Sequence, residues 1–193
     1  MKLTKIDVAE AHLITAVRLL FRGEHPASIY LLAASAREIL TTIGEKSGRR
    51  TMLSRLAEST GKPLKTFIGA ANEFLGFMKH ADRDPTAVLD DFNESDVDLV
   101  LFIACHDFHR IAGGQAIELQ VFEAWWLAQV HEKVSDAPLR TQRVYRACIR
   151  RFPGIRTAPR AERQRLGLEA LEKARLDPTL RMEIQREVKI LPG

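Results

Sequence analysis

Six consecutive positions, Lys79-His80-Ala81-Asp82-Arg83-Asp84, hold five titratable or permanently charged side chains at the end of an apolar run. Chemistry in such a stretch would be acid–base. An imidazole near neutral pH can take up or release a proton, and Lys79 or Arg83 could stabilise an oxyanion or a phosphate beside it. His80, Lys79 and Arg83 are therefore the candidate catalytic residues. The competing reading is a capped helix end, where cations offset the negative end of the helix dipole. In that reading Asp82 or Asp84 pairs locally and Pro85 marks the stop. No named reaction follows from these residues, so whether the chain is an enzyme stays open.

Two other clusters invite a chemical reading. His106-Asp107-Phe108-His109 sets two imidazoles at i, i+3, and with His80 and Asp84 these could hold a metal. No Glu-x-x-His pair occurs, which counts against a ferritin-like di-metal arrangement. A solvated or hydrogen-bonded histidine pair is favoured, and neither a metal nor a cofactor is expected. Nine arginines lie between Arg140 and Arg165, with Glu162 the one carboxylate among them. Such density suits nucleic-acid phosphates and makes Arg143, Arg146, Arg150 and Arg151 candidate nucleic-acid contacts. A solvated face, or packing on the acidic segment Asp90–Asp98, would account for the same residues. Glycine-rich phosphate loops, Gly-x-Ser-x-Gly elbows, Cys-x-x-Cys pairs and kinase signatures are absent.

The elements that must position these groups all read as helices. Thr4 and Asp7 can form a capping box, after which Ala9, Leu13, Ala16, Val17 and Leu20 recur at spacings of three and four until Gly23. Pro26 suits the first turn of a second helix, which Gly44 is expected to stop. The result is an antiparallel hairpin whose small residues, Ala33 to Ala36, invite a close neighbour. A shorter helix spans Ser47 to Gly61, with Met52, Leu53, Leu56 and Ala57 inward. A fourth runs from Leu64 through Phe74, Leu75 and Met78 to Lys79-His80. The acidic segment Asp90–Asp98 leads into a fifth, which Gly113-Gly114 breaks. Ala116 to Val134 carries Phe122, Trp125 and Trp126, read as core or dimer interface. Further helices follow Pro138, Pro159 and Asp177-Pro178. Nothing alternates with period two. The chain is expected to be an all-α antiparallel helical bundle with a basic helical C-terminal extension.

Charge divides the chain. Residues 1–135 carry 15 Lys+Arg against 18 Asp+Glu, and residues 136–193 carry 14 against 7. That shift places a boundary near Asp136, with a bundle domain over 1–135 and an Arg-rich extension over 136–193. No apolar run approaches a membrane span. The N-terminus lacks the apolar core of a signal peptide, which reads as cytoplasmic. Cys105 and Cys148 sit in apolar helical patterns and read as buried free thiols. Phe21, Trp125, Trp126 and the small-residue face of the second helix supply more apolar surface than one small bundle hides, which predicts a homodimer.

The segment from His12 to Leu40, with Gly23 ending one helix, an alanine-rich helix following and Glu38 late upon it, resembles the opening hairpin of HEPN domains. The later phrase Phe77-Met-Lys-His-Ala-Asp-Arg-Asp-Pro85 is similar to one in uncharacterised small bacterial helical proteins. Together they cover about a quarter of the chain. The resemblance implies a helical bundle, often dimeric, and in some members a metal-independent ribonuclease carrying Arg-x4–6-His. The one Arg-x6-His match here, Arg18 to His25, ends in the hairpin turn, and at the charged stretch His80 precedes Arg83. The resemblance thus implies a fold more than an activity: a helical binding or interaction module, whose basic tail could contact nucleic-acid or nucleotide phosphates. An RNA-cleaving site at His80 and a small-ligand pocket between helices near His80 and His106 are the alternatives.

Overall fold

The computed structural model describes residues 2–80, 82, 85–90, 92–114, 116–130 and 139–177. Among these the chain is all-α, with eight helices and no strand. They are α1 (Lys5–Phe21), α2 (Pro26–Ser47), α3 (Met52–Thr60), α4 (Leu64–Lys79), α5 (Glu94–Ala112), α6 (Ile117–Leu127), α7 (Leu139–Arg151) and α8 (Arg160–Leu176). Contacts sort the chain into two compact units, Met1–Ala16 with His25–Gly114 and Val17–Glu24 with Gln115–Gly193. The boundary expected near Asp136 falls outside the described residues, as does the short helix expected after Asp177. No helix among the described residues is long and apolar enough to cross a membrane.

In the first unit α1 opens on the reciprocal cap its sequence announces. The Thr4 amide donates to Asp7 Oδ2 at 2.8 Å and the Asp7 amide donates to Thr4 Oγ1 at 3.1 Å. The helix α2 starts at Pro26, and His25 Nδ1 accepts the Ala27 amide at 3.2 Å. It does not stop at Gly44. It runs one turn further to Ser47, and Gly48 supplies the left-handed cap at φ 65°. Gly44 has a different task, since a Cβ there would stand 2.6 Å from Thr51 Cγ2. Close packing, rather than helix termination, is why this position is glycine.

The helix α2 packs chiefly along α5, with Ala33, Ala34 and Ala36 fully buried and Leu101, Ala104 and Cys105 equally buried on α5. Thr51 caps α3 by accepting the Ser54 amide at 3.3 Å. This α3 is shorter than its sequence suggests, and Leu56, expected inward, is 43% exposed. The helix α4 lies against α2 and α3, yet only Leu75 is fully buried on it. Three rings hold the returning chain. Tyr30, Phe74 and Phe92 meet pairwise edge-to-face with centroids 5.6–5.8 Å apart, a geometry worth about 1 kcal/mol per pair beyond the area buried.

The second unit has its own core. Phe21 meets Trp125 edge-on at 5.6 Å and Phe122 at 6.5 Å. A Cβ on Gly167 of α8 would fall under 3.0 Å from three carbons of the Phe21 ring, so the helix can pass only as glycine. Trp125 Nε1 donates to the Arg163 carbonyl at 2.6 Å. Phe21 and Trp125, the latter read from the sequence as core or dimer interface, are buried within this unit, and the alanine face of α2 is buried in the first. Both cysteines are buried, and neither forms a disulfide.

Candidate functional site

A concavity beside the charged stretch lies along α4. Its lining is Gly69, Asn72, Glu73, Gly76, Phe77 and His80 from α4 and its C-cap, with Ala87 from the segment that follows, and its volume is about 360 Å³. Positions 69, 72, 73, 76, 77 and 80 recur at spacings of three and four, so they share the face of α4 turned away from Leu75. Amphipathicity decides this face: Leu75 is the buried position, while Gly69, Glu73 and Phe77 are exposed.

His80 ends the helix, with its backbone N–H on the Gly76 carbonyl at 3.1 Å. Its side chain is 41% exposed, and Nδ1 stands 3.8 Å from Asp82 Oδ1, beyond hydrogen-bond length. Lys79 points elsewhere. Its Nζ is 3.3 Å from Glu38 Oε2 on α2, and it does not line the cavity. Arg83 and Asp84 lie outside the described residues. Among the described residues, then, no cation accompanies His80 in the cavity.

Behind this face stands a residue that spacing alone did not single out. Arg37 of α2 is 1% exposed. Its guanidinium hydrogen-bonds Asn72 Oδ1, and Nη2 also donates to the Ala71 carbonyl at 3.2 Å. Tyr30 Oη reaches the same carbonyl at 3.4 Å. Burial pushes the Arg37 pKa below the usual arginine range. A buried cation whose hydrogen bonds go to a neutral amide and a carbonyl is costly, and what it achieves is a fixed Asn72. The signal was present: Arg37 falls in the 33, 36, 37, 40 apolar register of α2, where a charge has to find a partner inside.

A second polar cluster sits under α3 and α5. Asp107 is fully buried, and its Oδ1 accepts the Met52 amide at the start of α3 at 2.8 Å. Burial pushes the Asp107 carboxyl up to about 7, against the pull of that hydrogen bond and of Arg110, Arg55 and Arg37. His106 stacks on Phe102 with centroids 6.0 Å apart. Burial first, then Arg110, Arg55 and His109, bring it down to about 4. His106 does not line the α4 cavity. Among the described residues no group of three or more His, Cys, Asp or Glu side chains could hold a metal ion.

In the second unit, Arg143, Arg146 and Arg150 of α7 are exposed, while Thr141, Val144 and Cys148 are buried beneath them. Arg151 is half-buried, with Nε and Nη1 shielded from solvent, and so stands apart from that row. Arg18 and His25, the fortuitous Arg-x6-His pair, have separate structural roles. Arg18 joins Arg175 on Glu118 Oε1, at 2.6 and 2.7 Å, and His25 caps α2. No family model matches this chain, and no curated protein or solved structure does so either.

Proposed function

We propose that this chain is a HEPN-like antiparallel helical binding module with a basic helical extension, and that it engages nucleic-acid phosphates through α7. One observation carries the reading: Arg143, Arg146 and Arg150 occupy i, i+3 and i+7 and are all exposed. They fall within about 60° of one another around the helix and span roughly 10 Å of its axis. Arg146 hydrogen-bonds Gln142, at 3.2 Å. None of the three has an ion pair with a carboxylate among the described residues. A row of exposed guanidiniums without a carboxylate partner among the described residues, on a helix whose opposite face is packed, is the arrangement that releases counterions when it meets a phosphate backbone.

The test is the salt dependence of binding to a single-stranded oligonucleotide. Three phosphate contacts should give a slope of about −2 in log K against log salt. Replacing Arg143, Arg146 and Arg150 together by Ala should remove most of that slope, and Arg151→Ala should change it little. Undetectable binding at about 50 mM salt, or a slope the triple variant leaves intact, would refute the reading. A homodimer belongs to the same proposal through the HEPN-like hairpin, and the mass measured by light scattering at micromolar concentration checks it.

A further inference from the structure

We propose that the α4 cavity is a base-binding site that takes a guanine-type ring. In this arrangement Glu73 accepts the ring's N1–H and exocyclic amine, Asn72 donates to its O6, and Phe77 and His80 offer faces to stack on. The site is separate from the α7 row and does not depend on it.

Four observations converge. First, Arg37 and its hydrogen bond settle which way the Asn72 amide faces: Oδ1 is held by the guanidinium, so Nδ2 is left as the donor. The cavity therefore presents a fixed donor from position 72 beside an acceptor pair from position 73. Second, Glu73 is exposed and has no ion pair among the described residues, so both its oxygens can accept parallel N–H donors. Third, Phe77 is 42% exposed and His80 is 41% exposed by side chain, giving two flat rings at a mouth lined by polar groups. Fourth, a Cβ on Gly69 or Gly76 would meet nothing within 4 Å. Glycine is unfavourable inside a helix, and no packing among the described residues asks for it at these two places. The bare backbone allows a planar group to lie close against α4.

The hydrogen-bonding pattern selects among planar groups. A guanine edge offers two adjacent donors followed by an acceptor. Adenine and cytosine place a ring acceptor where the carboxylate would stand, and uracil offers a single donor. A guanidinium matches Glu73 but has no acceptor for Asn72 Nδ2. The volume of about 360 Å³ lies at the small end of the roughly 300–1,000 Å³ typical of ligand sites, suited to one base rather than a stacked pair.

Calorimetric titration of the full chain with GMP, IMP, AMP and free arginine tests the site. GMP should bind, AMP should bind at least about tenfold more weakly, and IMP, which lacks the exocyclic amine, should fall between them. Glu73→Gln, at an exposed position, should erase the preference for GMP. Gly76→Leu should abolish binding by filling the cavity, with no fall in melting temperature. Arg143→Ala, Arg146→Ala and Arg150→Ala together should leave the preference for GMP over AMP unchanged, since the two share their phosphate, so loss of the α7 reading and loss of this one are separately visible. In that triple variant, where the α7 phosphate contacts are removed, a strand of uridines containing one guanine, compared with the same strand lacking it, distinguishes the source: guanine-dependent binding tighter than GMP assigns the base of a nucleic acid, and guanine-dependent binding no tighter than GMP assigns a free nucleotide. Equal affinity for GMP and AMP, arginine binding as tightly as GMP, or no binding of any of them at millimolar concentration would overturn the proposal.

Discussion

Replacing Asp107 by Asn should alter how stability responds to pH, because two buried groups with opposed shifts neighbour one another on α5. The Asp107 carboxyl goes from an ordinary 3.8 to about 7 in the folded chain. Its favourable contribution is thus fully present below about pH 4 and is lost as pH rises through 7, a change on the order of 4 kcal/mol. His106 goes from 6.5 to about 4. Its contribution is present above about pH 6.5 and is lost as pH falls through 4, on the order of 3 kcal/mol. Between pH 4 and 6.5 the slopes oppose one another, each at about 1 kcal/mol per pH unit, and the native first unit should be nearly insensitive. Asp107 is not among the groups acting on His106, so Asp107→Asn should expose the histidine slope, with stability climbing by about 3 kcal/mol across that window. His106→Gln should expose the opposite slope. Both tryptophans, Trp125 and Trp126, belong to the second unit, so indole fluorescence would report the wrong region. Amide exchange of α2 and α5 from pH 4 to 7 at constant ionic strength is the appropriate measurement. If Asp107→Asn runs parallel to the unaltered chain, the carboxylate is ionised throughout and balanced by Arg37, Arg55 and Arg110, and the reasoning fails.

Other consequences are simpler. Glu118→Ala should cost the second unit about 1–2 kcal/mol in urea unfolding, because it removes the hydrogen bonds of Arg18 and Arg175, whose part-exposed guanidiniums water can still solvate; burial raises the carboxyl, yet these two bonds hold it below the usual glutamate value. Gly167→Ala should destabilise by about 1–3 kcal/mol through overpacking against Phe21, whereas Gly69→Ala should stabilise by roughly 0.5–1 kcal/mol, since its Cβ meets open space. Thermal melts that rank these two glycines alike would contradict the packing described. Tyr30→Ala should cost about 3–5 kcal/mol by removing the ring that packs on both Phe74 and Phe92. Tyr30→Phe should cost under about 1 kcal/mol, because the bond to Ala71 is long at 3.4 Å.

The sequence by itself determined what depends on neighbours within a few positions. The Thr4–Asp7 cap, the start of α2 at Pro26, the span of α4 from Leu64 to Lys79 and the left-handed Gly113 after α5 are all local decisions of backbone geometry and side-chain reach. Helical periodicity carried the all-α class for the same reason. Tertiary structure decided everything that turns on a partner far along the chain. Gly44 reads as a stop only until Thr51 and Arg49 are brought against it. Lys79 reads as a companion of His80 until Glu38, 41 positions earlier, takes its charge. Phe21 and Trp125 read as surplus apolar surface until Gly167 lets α8 close over Phe21. Arg37 stood in plain view in an apolar register, but what it holds, Asn72 and the wall of the α4 cavity, exists only once α2 and α4 lie side by side. A charge is assigned by the nearest opposite group in space, and spacing along the chain measures that distance only within one helix.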